Sequence, residues 1–146
     1  MDLKDYIDKE CIAVNKQFVN WEDAISYSGK LMEKNKVING QYTLDMIELV
    51  NKCGPYIVVM PGVALAHARP NGNVNKNCVS IVTLKDGVKF GHDENDPVKV
   101  IFAIAATTDD EHLKLFQAIA NYLMINGNLE KILNSKDIDE LIGGII

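Results

Sequence analysis

Apolar residues recur along this chain in two rhythms, a helical one and a strand-like one. Residues 10–15, Glu-Cys-Ile-Ala-Val-Asn, read as a short first strand. Asn20 then reads as an N-cap, and 21–34 places Ala24, Ile25, Leu31 and Met32 on one stripe of a helix. Asn39-Gly40 reads as a turn. A second helix is predicted to start beyond Thr43, to carry Met46, Leu49, Val50 and Cys53, and to stop at Gly54-Pro55. Strand patterns follow at 56–60, 63–65 and 78–84, with Lys85-Asp86-Gly87 as a hairpin turn into 88–90. The run 98–105 is almost continuously apolar, as a central strand covered on both faces must be. Thr108-Asp109-Asp110-Glu111 fits an S/T-x-x-E capping box that opens a helix over 109–126. Phe116, Ile119, Ala120 and Leu123 form its expected buried stripe and Gly127 its stop, and short helices start near Asn128 and Ser135. This succession predicts an α/β fold, a mixed β-sheet flanked by helices on both faces.

With 146 residues and no repeat, low-complexity tract or long linker, the chain reads as one domain over 1–146. A net charge of −5, with a single arginine, argues against a nucleic-acid reader. No apolar stretch approaches the ~20 residues that span a bilayer. The start, Met1-Asp2-Leu3-Lys4-Asp5, has no signal-peptide character, so a cytoplasmic protein is expected. Cys11, Cys53 and Cys78 are odd in number and lack ligand spacing, and they read as reduced, mostly buried thiols.

Chemistry concentrates in Pro61-Gly62-Val63-Ala64-Leu65-Ala66-His67-Ala68-Arg69-Pro70, which holds that one arginine. A titratable nucleophile lies two residues from a planar, bidentate oxyanion clamp, and small alanines leave the imidazole open to a large partner. The pairing suits phosphoryl chemistry on His67; the competing reading is a histidine that merely fills a loop. His112 comes early in the helix opened by Thr108 and points with its apolar stripe toward the sheet. A helix start disfavours imidazolium and attracts phosphate, so a neutral His112 there can donate to a phosphoryl group on His67. Taken alone, His112 reads better as a satisfied core histidine. His92 stands in the acidic loop Phe90-Gly91-His92-Asp93-Glu94-Asn95-Asp96-Pro97, either as a solvated loop residue or as part of the same rim. The three histidines lack metal-binding spacing, and no GxGxxG, GxxxxGK[ST] or GxSxG is present. No cofactor, metal or nucleotide is expected.

The stretch from Gly54-Pro55-Tyr56 through His67-Ala68-Arg69-Pro70 to Asn95-Asp96-Pro97-Val98 closely resembles the mannitol/fructose-type IIA component of the bacterial sugar phosphotransferase system. It looks most like the ascorbate-type branch, with its Gly-Pro-Tyr lead-in and His-x-Arg-Pro core. The likeness runs over nearly the whole chain and is strongest across 54–123. It implies that His67 is the phosphorylated histidine, His112 the second active-site histidine and Arg69 the arginine of the His-x-Arg-Pro pattern. It further implies phosphorylation on Nε2, with Nδ1 held by a partner the sequence does not name. Phospho-HPr would be the donor and a IIB cysteine the acceptor, serving a membrane IIC transporter for an ascorbate-like sugar. Ala66 departs from the family, which usually has proline there. A regulatory phospho-switch and a non-catalytic α/β binding module are the competing functions. Monomer and homodimer are both compatible with the patterning.

Overall fold

The near-continuous apolar run at 98–105 becomes the middle of a five-stranded sheet in the computed structural model, which describes residues 2–146. In chain order the strands are β1 (Ile7–Lys16), β2 (Val58–Met60), β3 (Val63–Ala66), β4 (Cys78–Val88) and β5 (Val98–Ala105). They lie in the order β1-β4-β5-β3-β2. Pairing is parallel for β1 with β4 and β3 with β5, and antiparallel for β4 with β5 and β2 with β3. The sheet is therefore mixed, as expected.

The helices are α1 (Trp21–Lys34), α2 (Gly40–Cys53), α3 (Asp109–Leu123), α4 (Asn128–Leu133) and α5 (Ile138–Ile145). Because successive strand residues point to opposite faces, β5 feeds two cores at once. Ile101, Ala103 and Ala105 join Ala24, Ile25, Met32, Met46 and Val50 from α1 and α2. Val100, Phe102 and Ile104 join Leu115, Ile119, Ile132 and Leu141 from α3, α4 and α5. A strand buried on both faces has no solvated side on which to place polar residues, which is why the run is apolar apart from the half-buried Lys99 near its start.

Three local expectations are corrected. The second helix starts at Gly40 rather than beyond Thr43, because the Asn39 side chain accepts the amides of Gln41 and Tyr42 and so caps it. Lys85-Asp86-Gly87 is not a hairpin turn: β4 continues to Val88, which still pairs with Val98. The register shifts between Thr83 and Val88, and Gly87, at φ 79°, takes the left-handed conformation that a bulge accommodates. On α3 the buried face is Leu115, Ala118 and Ile119, with Ala120 exposed, and the helix ends at Leu123 with Met124 as its cap. Cys53 is exposed at the end of α2, while Cys11 and Cys78 are buried.

α1 and α2 meet where Gly29 faces Thr43, and a Cβ at Gly29 would collide with the Thr43 side chain. Gly29→Ala should therefore destabilise the protein by about 1–2 kcal/mol in urea unfolding, because overpacking outweighs the better helix propensity of alanine. A gain in stability would show that the two helices are free to separate.

Candidate active site

β3 and β5 run side by side and in the same direction, with Ala66 in register with Ala103. Their carboxyl ends therefore open onto the same edge of the sheet, where ligands of α/β proteins commonly bind. His67 is the first residue past β3, and the chain past β5 reaches Thr108, whose hydroxyl accepts the Glu111 amide and caps α3. His112 sits in the opening turns of that helix and donates its backbone N–H to the Thr108 carbonyl at 2.9 Å. Strand pairing thus brings together two histidines that lie far apart in the chain.

The His67 ring is fixed at both nitrogens. Nδ1 lies 2.8 Å from the Leu65 carbonyl oxygen, which can only accept. That contact assigns the proton to Nδ1 and the lone pair to Nε2 in the neutral ring. The expected partner of Nδ1 is therefore the backbone two residues upstream. Nε2 faces the Tyr56 hydroxyl at 3.3 Å. Burial lowers the pKa of His67, opposed in part by the Leu65 hydrogen bond, so the ring is neutral at neutral pH.

The His112 ring centroid lies 5.3 Å from that of His67, and Phe116 packs edge-on against both at 5.2 and 4.9 Å. Burial also lowers the pKa of His112, the neighbouring His67 adds to the effect, and Asp109 opposes it. Its Nε2 is buried with no hydrogen-bond partner among the described residues. A buried polar atom without a partner costs free energy, and a ligand that supplied a hydrogen-bond partner would remove that cost.

His67, His112, Arg69, Tyr56 and Asp109 line one cavity of about 490 Å³. Arg69 is exposed, and its guanidinium has no carboxylate or hydrogen-bond partner among the described residues. The start of α3 offers an anion less than expected. Thr108 already takes the amides of Glu111 and His112, and the Asp109 carboxylate lines the cavity.

His92 is not part of this cluster. Its Nδ1 accepts the amides of Asn95 at 3.1 Å and Glu94 at 3.3 Å, so its ring organises the loop it stands in. No group of three His, Cys, Asp or Glu among the described residues is arranged to hold a metal ion.

Two tyrosines near the site show no chemistry in their residue type or spacing. Tyr42 is buried on α2, in helical register with Met46, and reads as core. Its hydroxyl lies 2.6 Å from the Ile104 carbonyl, to which it donates, and accepts the Ala68 amide at 3.1 Å. It therefore ties the segment past β3 to the end of β5. Tyr56 sits in an apolar run and reads as strand; only the fold turns it toward His67.

A mixed α/β sheet whose parallel strands end on two neutral imidazoles and an unpaired guanidinium suits phosphoryl transfer without a nucleotide. The family described as phosphoenolpyruvate-dependent sugar phosphotransferase system, EIIA 2, matches residues 5–145, and the chain belongs to it. It is a phosphotransferase component of a sugar phosphotransferase system, of the kind that carries a phosphohistidine. The ascorbate-specific PTS system EIIA component of Escherichia coli K12 is 30% identical over 134 residues, covering 90% of this chain and 87% of its own. The solution structure of the mannitol-specific cryptic enzyme IIA CmtB from E. coli superposes with a TM-score of 0.89 at 29% identity, covering 99% and 98% of the two chains. The complex of E. coli IIA mannitol with phosphorylated IIB mannitol has a TM-score of 0.83 at 22% identity, covering 93% and 94%, and bears on the fold alone.

Burial raises the Tyr42 pKa to about 12 from an ordinary value of 10.0. The folded state therefore holds this proton more tightly than the unfolded chain. The linked stability is fully present below pH 10, falls as pH rises from about 10 to 12, and amounts to about 2–3 kcal/mol. Tyr42→Phe should abolish that alkaline slope and cost about 1–3 kcal/mol at neutral pH, because the Ala68 amide and Ile104 carbonyl lose their shared partner. Urea unfolding across that pH range checks both, and an unchanged slope would remove Tyr42 as its source.

Proposed function

We propose that this single domain, residues 1–146, is a cytoplasmic phosphoryl carrier with His67 as its acceptor, assisted by Arg69 and His112. The observation that carries the reading is the Leu65 carbonyl on Nδ1, which leaves the lone pair of Nε2 toward the cavity. Phospho-HPr is the proposed donor, a IIB cysteine the acceptor, and a membrane IIC transporter the component served. The ascorbate-specific relative points to an ascorbate-like sugar for the pathway.

In the forward step Nε2 of His67 attacks the phosphorus in line. Its lone pair forms the new N–P bond while the N–P bond of the donor phosphohistidine breaks and returns its electron pair to the donor imidazole. No proton leaves His67, since Nε2 carries none, and the Nδ1–H stays on the Leu65 carbonyl as the ring takes on positive character. The transferring group is loose and anionic, so positioning and electrostatics do most of the catalytic work. Arg69 supplies a planar fork free of competing ion pairs. His112 supplies an Nε2 donor that is otherwise without a partner.

Intact-mass analysis after incubation with enzyme I, HPr and phosphoenolpyruvate should show one acid-labile phosphate on the wild type and none on His67→Ala. No gain on the wild type would favour a binding module that keeps the fold without the transfer. Arg69→Lys should slow transfer about tenfold, since the charge stays and the fork is lost; an unchanged rate would free Arg69 of that role. His112→Ala should slow transfer but leave His67 phosphorylated at long times.

Protonation of Nε2 removes the nucleophile, so acceptance should fall as pH drops. With the pKa of His67 lowered, that fall should centre below the ordinary value of 6.5. A midpoint at or above it would contradict a buried, neutral acceptor.

A further inference from the structure

One group beside the reacting nitrogen has no part in the transfer assigned to His67, Arg69 and His112. Tyr56 places its hydroxyl 3.3 Å from His67 Nε2, its ring stands perpendicular to the imidazole at 5.8 Å, and it lines the cavity shared with Arg69 and His112. We propose that Tyr56 is a further catalytic residue: its phenol caps the resting nucleophile and then passes its hydrogen bond to the phosphoryl group on His67. The inference rests on the reading of His67 as the phosphoryl acceptor.

Local structure aims this side chain. α2 ends on Gly54, whose φ of 84° turns the chain back toward the sheet, and the Val58 amide closes a turn on the Pro55 carbonyl. The next residue, Ile57, accepts the Leu65 amide at 2.9 Å, which fixes the spacing between Tyr56 and the strand that delivers His67. Stability gives no reason for the hydroxyl. Tyr56 is 47% exposed, so its hydroxyl need not rely on His67 for a polar partner.

The donor and acceptor roles are set by the tautomer. Because Nδ1 holds the ring proton, Nε2 can only accept, and the Tyr56 O–H must donate. Burial raises the Tyr56 pKa, so the phenol keeps its proton throughout. When Nε2 attacks, its lone pair becomes the N–P bond and the phenol hydrogen bond to nitrogen is released. The oxygens of the bound phosphoryl group then lie two bonds beyond Nε2, within reach of the same O–H. The hydroxyl exchanges a neutral acceptor for an anionic one, and hydrogen bonds to anionic acceptors are the stronger kind. The bond gained in the phosphorylated form therefore exceeds the one given up, and the phosphohistidine is stabilised. No proton is transferred; the O–H changes only its acceptor.

Tyr56→Phe tests this, since it keeps the ring and its edge contact and removes only the oxygen. In the unphosphorylated protein the ¹⁵N resonance of His67 Nε2 should move toward that of an unbonded imidazole nitrogen. After phosphorylation by enzyme I, HPr and phosphoenolpyruvate, the fraction phosphorylated at equilibrium with phospho-HPr should correspond to an equilibrium constant about three- to tenfold smaller than wild type. The unfolding midpoint should stay within that of a surface substitution, which separates the effect from a loss of structure. An unmoved resonance together with a wild-type equilibrium constant would overturn the inference while leaving His67 as acceptor. A wild-type chain that takes no phosphate on His67 would overturn both readings.

Discussion

Everything at the site depends on the parallel pairing of β3 with β5. Parallel neighbours end at the same edge, so the segments that leave them are delivered to one place. β3 hands the chain to His67, and β5 hands it to the cap and first turns of α3 with His112. An antiparallel pair would have sent the two histidines to opposite edges. The register is backed by burial, because β5 is covered on both faces and a slip of one residue would exchange its two cores. Tyr42 adds a second tie at the same level, bonding the Ala68 amide and the Ile104 carbonyl through one buried oxygen.

The opposite, amino-terminal ends of β3 and β5 are held by a loop that the histidine content alone makes conspicuous. The Asp96 carboxylate accepts the amides of Phe90, Gly91 and His92 at 2.9, 2.8 and 3.0 Å, and the ring of His92 accepts two more. Asn95 then reaches across to the turn between β2 and β3, donating its side-chain amide to the Val58 carbonyl and accepting the Gly62 N–H on its backbone. The Asp96 carboxylate is thus taken up by backbone amides that would otherwise lack partners. His92 supports β3 from below instead of joining the chemistry at its end.

Electrostatically the site is arranged around neutrality. Both imidazoles are desolvated against Phe116, and neither has a carboxylate hydrogen-bonded to it that would favour the cation. A neutral histidine with one nitrogen tied to a carbonyl presents a defined lone pair, which an imidazolium lacks. The one guanidinium on the cavity wall is that of Arg69. The acidic opening of α3, with Asp109 on the cavity wall, works against an anion and makes that single guanidinium more important.

Much of this was legible in the chain. The apolar run at 98–105 could only be a two-faced strand, Thr108 announced the start of α3, and the decapeptide around His67 carried both the candidate nucleophile and the one arginine, because these features rest on local composition and spacing. Asn39 hid its role as a cap behind the turn-like Asn39-Gly40 pair, and Lys85-Asp86-Gly87 looked like a hairpin because a bulge and a turn ask for the same residues. The neighbours of His67 were beyond reach of any local pattern. Tyr56 and Tyr42 look like strand and core residues, the partner of Nδ1 is a carbonyl that every residue possesses, and the closeness of His112 depends on strand order. Sequence alone determined which residues are able to do the chemistry, since that is a matter of side-chain type. Which of them meet, and which nitrogen faces the cavity, was decided only by tertiary structure, because both depend on the pairing of strands distant in the chain.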